Sequence, residues 1–421
     1  MSSLRRDVRP AVSDDLSPRR LAAAREAVRA VARETPLLGG PDVERALGPR
    51  VMLKAESLQR TGSFKLRGAA AFLAGMGPGA VRGVVAGSAG NHAIALAYAA
   101  AVAGVPCEVV VPHGAALSKI GPAREHGATV VEHGEVVELA IAEARRRADE
   151  RGWRFVHPFD DPLVIAGQAS LGSEILDELD DLAMVIVPVG GGGLASGVAV
   201  ALAQARPGVQ VIGVQAAACA AVVRRLGGVA SDAPAPSPTI ADGIAIKEPS
   251  ERTLELMGRH LSGMVTVEEH EIADAISLVL REHRLLVEGA GAVAVAAVLS
   301  GTVVPARDGA TVAILSGGNV DPGPLLSVIR RHETRSGRRL VLLTRLPDRP
   351  SALAELLRLV GDVGANVIEV DHRRDGIGLD IQQSGVELVL ETRGREHAAD
   401  VLGRIAAAGY PLANVDPPPA G

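Results

Sequence analysis

The sequence predicts an α/β protein built on mainly parallel sheet, followed by a small α+β domain. Three observations carry that expectation. From about residue 50 to 320, short Val/Ile-rich runs lead into glycine-rich turns and then into Ala/Leu stretches at helical period, the alternation of a parallel sheet wound with helices. The glycine-loop units then stop near the charged stretch 330–339, which reads as a linker. Beyond it the order is β-α-β-β-α-β, which fits a ferredoxin-like unit.

The elements follow in order. GVVA at 83–86 runs into GSAGNH and the helical AIALAYAAAVAG; VIVPV at 185–189 runs into GGGGLASG and VAVALAQA; VAIL at 312–315 runs into SGGN. Three strands thus end in small-residue loops, and ligands of open parallel sheets bind at the carboxyl ends of strands. SDAPAPSP at 231–238 reads as a surface loop. In the tail, RLVLLTRL, NVIEVDH, VELVLET and YPLANV read as strands. Leu353, Leu356, Leu357 and Val360 fall at helical spacing, as do Ala398, Val401, Leu402 and Ile405. The expected domains are 1–330 and 338–421.

Composition narrows the function. A chain of 421 residues implies two or three compact units. Its net charge of −5 supplies no field for a phosphate backbone, and four Phe, two Tyr and one Trp leave few platforms for base stacking. Nucleic acid is not an expected partner. Hydrophobic residues at 47% and charged ones at 22% suit a globular protein. Cys107 and Cys219 form no CxxC spacing, so neither a disulfide framework nor a structural zinc site is expected; no carboxylate cluster has ligand spacing, so no metal ligand is assigned and a cation requirement stays open. The N-terminus lacks the apolar core of a signal peptide, which points to the cytoplasm. The uncharged run 289–306 is mostly Gly and Ala with Pro305, and reads as a buried helix and turn rather than a membrane span.

Lysine is rare: of 44 Lys and Arg only Lys54, Lys65, Lys119 and Lys247 are lysine. A lysine can lose its proton and attack a carbonyl, which a guanidinium cannot. Lys65 lies in TGSFKLRGA among small residues, beside Phe64, whose ring suits a flat partner. Gly190, Gly191, Gly192 and Gly193 follow a strand and open a helix, exposing backbone N–H groups as a phosphate cradle. Gly190, Gly192 and Ala195 also satisfy GxGxxA, but the next strand ends in Gln215 where a ribose-binding acid is expected, so one phosphate fits better than a pyrophosphate. Ser88, Ala89, Gly90, Asn91 and His92 form a loop suited to a carboxylate, and Ser316 offers a neutral hydroxyl to a heterocyclic nitrogen. Together these are the parts that pyridoxal phosphate chemistry needs.

On these residues the chain resembles the threonine ammonia-lyases of the fold type II pyridoxal-phosphate family, over roughly residues 20 to 330. The motifs are TGSFKLRGA, GSAGNHA, PFDDPLVIAGQ, VGGGGLASG, TIADGIAIK, VEGAGAVAVAA and LSGGN, in that order. The tail, with DRPSALAELL and GANVIEVDH, resembles an ACT domain, a small amino-acid-sensing module. The implied fold is a tryptophan synthase beta-like core of two open parallel-sheet lobes plus this ferredoxin-like module.

The resemblance implies that Lys65 forms the Schiff base with pyridoxal 5'-phosphate and that Phe64 packs against its ring. It gives Asn91 the ring hydroxyl, Gly190 to Gly193 the phosphate, Ser316 the pyridine nitrogen, and Ser88 to His92 the substrate carboxylate. The implied reaction is dehydration of L-threonine to 2-oxobutyrate and ammonia, with L-serine a second substrate, a place in isoleucine biosynthesis, and a dimer or tetramer as the assembly. Related racemases carry a serine hydroxyl where this chain has Ala89, which separates the lyase from a serine or threonine racemase; a dehydratase for another β-hydroxy amino acid is a further alternative, and a non-catalytic amino-acid sensor is the rival of another class. Ile94-Ala95, Ala169-Ser170 and Gly114-Ala115-Ala116 depart from the family pattern, and Ser351 stands where glycine is usual. An amino-acid effector is expected near 348–353 and Asn366.

Overall fold

The computed structural model describes residues 14–77, 79–227, 238–374 and 382–416. All of the predicted surface loop 231–238 except its last residue lies outside them. The chain divides into two compact units, Met1–Asp321 and Pro322–Gly421.

The first unit holds two sheets. Six strands run Leu37–Leu38, Val51–Ala55, Ala310–Leu315, Leu182–Pro188, Gln210–Ala216, Gly263–Val267 across the larger sheet, all parallel except the first. The smaller sheet sets Thr129–Glu132, Cys107–Val111, Val84–Gly87 and Arg154–Phe155 in parallel. Ala310–Leu315, Val84–Gly87 and Cys107–Val111 are buried along their whole length. Helices cover both faces of such strands, which is why they read as continuous apolar runs rather than alternating ones.

Helices Lys65–Gly75, Pro162–Glu178 and Gly193–Ala205 pack closely because glycines line their contacts. A Cβ on Gly197 would lie 2.5 Å from the Ile165 carbonyl oxygen, and one on Gly167 would overlap the Arg67 carbonyl. Beside this contact Arg67 is fully buried. Its guanidinium donates to Glu56 at 2.8 and 2.7 Å, to Glu174 at 2.5 and 2.8 Å, and to Ser170 at 3.1 Å. Lys54, also fully buried, lies 3.3 Å from Glu174 and donates to Glu178 at 2.6 Å. The uncharged run 289–306 forms the buried helix Gly289–Leu299. Among the described residues no helix is long and apolar enough to cross a membrane.

The second unit sets its strands in the order Asn366–Arg373, Gln383–Glu391, Arg339–Pro347, Leu412–Asp416, every neighbour antiparallel. Helices Ala352–Asp362 and Arg395–Ala407 contribute Leu356, Val360, Val401 and Ile405 to its core, against Leu340, Leu342 and Leu346 of the first strand. This is the predicted β-α-β-β-α-β arrangement. The stretch 330–339 is not an extended linker: residues to Arg335 end helix Pro322–Arg335, which belongs to this unit, and a short turn leads to Arg339. Its charges occupy the exposed side of a helix that buries Val328 and Thr334. Ser351 has φ +70°, one of three non-glycine residues with positive φ among those described. That left-handed backbone explains why glycine suits the position.

Candidate active site

Lys65 begins a helix directly after a loop stitched to the end of strand Ala310–Leu315. Phe64 N–H donates to the Ser316 carbonyl at 3.0 Å, and Ser63 forms a β-bridge with Gly317. The lysine is thereby placed at the carboxyl end of the larger sheet. Its Nζ donates to the Pro158 carbonyl at 2.9 Å and lies 5.1 Å from the centre of the Phe64 ring. Burial lowers its pKa from 10.5 to about 8, with the Glu288 charge acting in the opposite direction. The amine therefore reaches its nucleophilic, neutral form nearer physiological pH than a solvated lysine does.

The glycine loop follows strand Leu182–Pro188 and opens helix Gly193–Ala205, with Gly192 at φ +90° as its N-cap. Phe159, next in sequence to the carbonyl that holds Lys65, lies over this loop. A Cβ on Gly191 would overlap its ring, and one on Gly193 would lie 2.9 Å from its Cβ. On another side a Cβ at Gly190 would come within 3.1 Å of Ile244 Cα. Only a side-chain-free backbone fits this enclosure, and it leaves first-turn N–H groups that no intrahelical carbonyl satisfies.

The loop Ser88–Gly90 follows strand Val84–Gly87, and Asn91 opens helix Asn91–Ala103. Gly90 N–H donates to Ser88 Oγ at 3.3 Å, Ala89 is partly buried against the core, and a Cβ at Gly90 would meet open space. His92 does not present its ring to this loop: it is buried, with Nε2 2.9 Å from the Val156 carbonyl oxygen. Burial, aided by the Lys65 charge, depresses its pKa to about 3, so the ring stays neutral. The side chain orients the helix, leaving the backbone as what His92 offers a ligand.

Three further residues complete the arrangement. Asn91 Nδ2 donates to Glu288 Oε1 at 2.8 Å, while Asn319 Nδ2 donates to Asn91 Oδ1 at 2.7 Å and to the Thr61 carbonyl at 2.9 Å. Glu288 is buried, and burial, with the Asp242 charge, raises its pKa to about 8. Ser316 is buried, its Oγ 3.5 Å from the Ala290 carbonyl oxygen. The sequence alone gives no role to Pro158, Phe159, Glu288 or Asn319. Each nevertheless lies in one of the family-like segments PFDDPLVIAGQ, VEGAGAVAVAA and LSGGN.

These features fit pyridoxal phosphate. The enclosed glycine loop is shaped for one phosphate, the hydroxyl of buried Ser63 beside Lys65 has no hydrogen-bond partner within the protein, and Ser316 supplies a neutral hydroxyl.

Comparison with known proteins points the same way. The family model for pyridoxal-phosphate dependent enzymes matches residues 28–317. The L-threonine ammonia-lyase of Thermotoga maritima is 42% identical over 388 residues, covering 92% of this chain and 96% of that protein. That alignment is longer than the first unit and so extends into the second. Among solved structures, the T.th. threonine deaminase is 38% identical with a TM-score of 0.66, covering 72% of this chain and 99% of that one. Maize serine racemase is 27% identical with a TM-score of 0.67, covering 75% and 98%. With a family model spanning most of the chain and a close relative spanning nearly all of it, the chain belongs to the pyridoxal-phosphate dependent enzymes.

Proposed function

We propose that the protein is an L-threonine ammonia-lyase that also accepts L-serine. The observation that carries the reading is Lys65, set between the Pro158 carbonyl, the Phe64 ring and the loop of Ser316, with its basicity reduced by burial. Lys65 would hold the cofactor covalently, Gly190 to Gly193 its phosphate, Asn91 its ring hydroxyl and Ser316 its ring nitrogen, with Phe64 against the ring. When bound, the cofactor supplies an electron sink for charge developing at the substrate Cα.

The chain's own residues account for the rest. The backbone of Ser88 to His92 receives the substrate carboxylate. With the cofactor bound, Lys65 Nζ would be the base that takes the substrate Cα proton. Ser316 would offer the ring nitrogen a neutral hydroxyl rather than an acid, which would favour loss of the β-hydroxyl over transamination. Water leaves and water returns in hydrolysis, so threonine yields 2-oxobutyrate and ammonia. Ala89 carries a methyl group that transfers no proton, which favours elimination over racemisation.

The second unit is read as an ACT-like module that binds a branched-chain amino acid near 348–353 and Asn366, and the enzyme as a homodimer or tetramer. Cys107 and Cys219, both free and buried, suit the reducing cytoplasm. The test is a product assay of full-length protein against L- and D-amino acids. 2-Oxobutyrate from L-threonine is expected; no oxo acid from any substrate favours the non-catalytic sensor, and rapid appearance of the opposite enantiomer favours the racemase.

A further inference from the structure

Glu288 stands buried at the start of helix Gly289–Leu299. Its backbone N–H donates to the Gly317 carbonyl at 3.1 Å, and a Cβ on Gly317 would overlap its Oε1. The Asn91 carboxamide is held at both ends, by Glu288 Oε1 and by Asn319 Nδ2. Asn319 in turn is fixed by the Thr61 carbonyl, and Gly62 is kept free of a side chain that would overlap Asn319 Oδ1. One hydrogen-bonded chain thus joins the loop before Lys65, the loop after strand Ala310–Leu315, the first residue of helix Asn91–Ala103 and Glu288.

We propose that Glu288 is a positioning residue: its Oε1 accepts from Asn91 Nδ2 and, with Asn319 at the other end, fixes the direction of that carboxamide. The inference rests on reading Lys65 and Asn91 as cofactor residues. The charged groups acting on Glu288 are Asp242, Lys119 and Lys65. Burial and Asp242 oppose the carboxylate, and Lys119, Lys65 and the Asn91 hydrogen bond favour it; the former dominate. Lys119 is engaged by Asp242 at 2.5 Å, which directs much of its charge away from Glu288. Ionising Glu288 would place an anion that holds Lys65 in its ammonium form.

The test uses full-length protein loaded with pyridoxal phosphate, comparing wild type, Glu288→Gln and Glu288→Ala. The readouts are cofactor dissociation by fluorescence and the visible cofactor band from pH 6 to 10. Glutamine keeps the uncharged acceptor and cannot ionise. It is expected to hold the cofactor within about threefold of wild type, while alanine, losing one hydrogen bond and its partner's orientation, weakens binding about tenfold. The wild-type band is expected to show an alkaline titration that Glu288→Gln lacks. Glutamine behaving like alanine, or keeping the wild-type titration, overturns the proposal, as does alanine binding like wild type. If alanine does not fold, the glutamine variant decides alone. Borohydride labelling of each sample separates this failure from that of the broader reading: a label on Lys65 with no effect at Glu288 refutes the positioning role only, whereas a label elsewhere refutes the site.

Discussion

Replacing Arg67 by Met should destabilise the first unit severely and loosen the helix that begins with Lys65. The side chain is fully buried and forks onto two carboxylates, Glu56, itself fully buried, and Glu174. Methionine keeps most of the volume but leaves those carboxylates without their shared cation. Glu174 retains Lys54 at 3.3 Å, while Glu56 retains only the short bond from Thr35 among its uncharged donors. Removing one partner of a buried ionic cluster costs about 3–5 kcal/mol, which corresponds to a fall in Tm of roughly 4–8 °C for a unit of this size. The pH dependence follows from Glu56. Burial pushes its pKa up, but the Arg67 charge and hydrogen bonds, with Thr35 and Lys54, pull it below the ordinary 4.5. A depressed folded pKa contributes stability above pH 4.5 that is lost as pH falls through the folded value. In the variant Glu56 rises instead and protonates more readily, so the gap between the two proteins should narrow from pH 7.5 to pH 4.5. Calorimetry or thermal circular dichroism at the two pH values measures it. A variant melting within about 1 °C of wild type at pH 7.5 would refute the reasoning, as would a gap that widens in acid.

Other expectations follow the same geometry. Gly191→Ala drives a methyl group against the Phe159 ring and should weaken cofactor affinity by roughly 5- to 100-fold, as overpacking of about 1–3 kcal/mol implies; a second change, Phe159→Leu, should restore part of it in a fluorescence titration. Ala89→Ser supplies a hydroxyl beside Gly90 and should raise formation of the opposite enantiomer by about 10²-fold, the scale of a positioned acid or base, measured by chiral chromatography of residual serine. Ser351→Gly relieves the backbone at φ +70° and should stabilise the second unit by about 1 kcal/mol, read in urea melts.

Much of this molecule is legible in one dimension because its signals are local. A β-branched run ending in glycines and then a helical period declares strand, loop and helix without knowledge of any distant contact, and so the loops at Gly190 and Ser88 stand out together with Lys65. The tail declares itself equally well, since Leu356 and Val360, or Val401 and Ile405, fall on one helical face and are buried there. Glu288 is different. In VEGAGAVAVAA it looks like a helix-start acid, and only the fold brings it to Asn91, 197 residues away. His92 shows the converse: its position in a polar loop suggests a ligand contact, yet the helix turns its ring to the Val156 carbonyl. The stretch 330–339 reads as a linker because its charges are conspicuous, while the burial of Val328 and Thr334 that makes it the end of a helix is not.

Everything proposed for the site turns on Lys65 as the residue that carries the cofactor and performs the proton transfer. Its most direct test is borohydride reduction of the cofactor-loaded protein, followed by mass spectrometry of the digest. The loaded protein is expected to be yellow and inactivated on reduction, with a single pyridoxyl-labelled peptide containing Lys65. A label on Lys54, Lys119 or Lys247, or reduction without any labelled lysine, would contradict it.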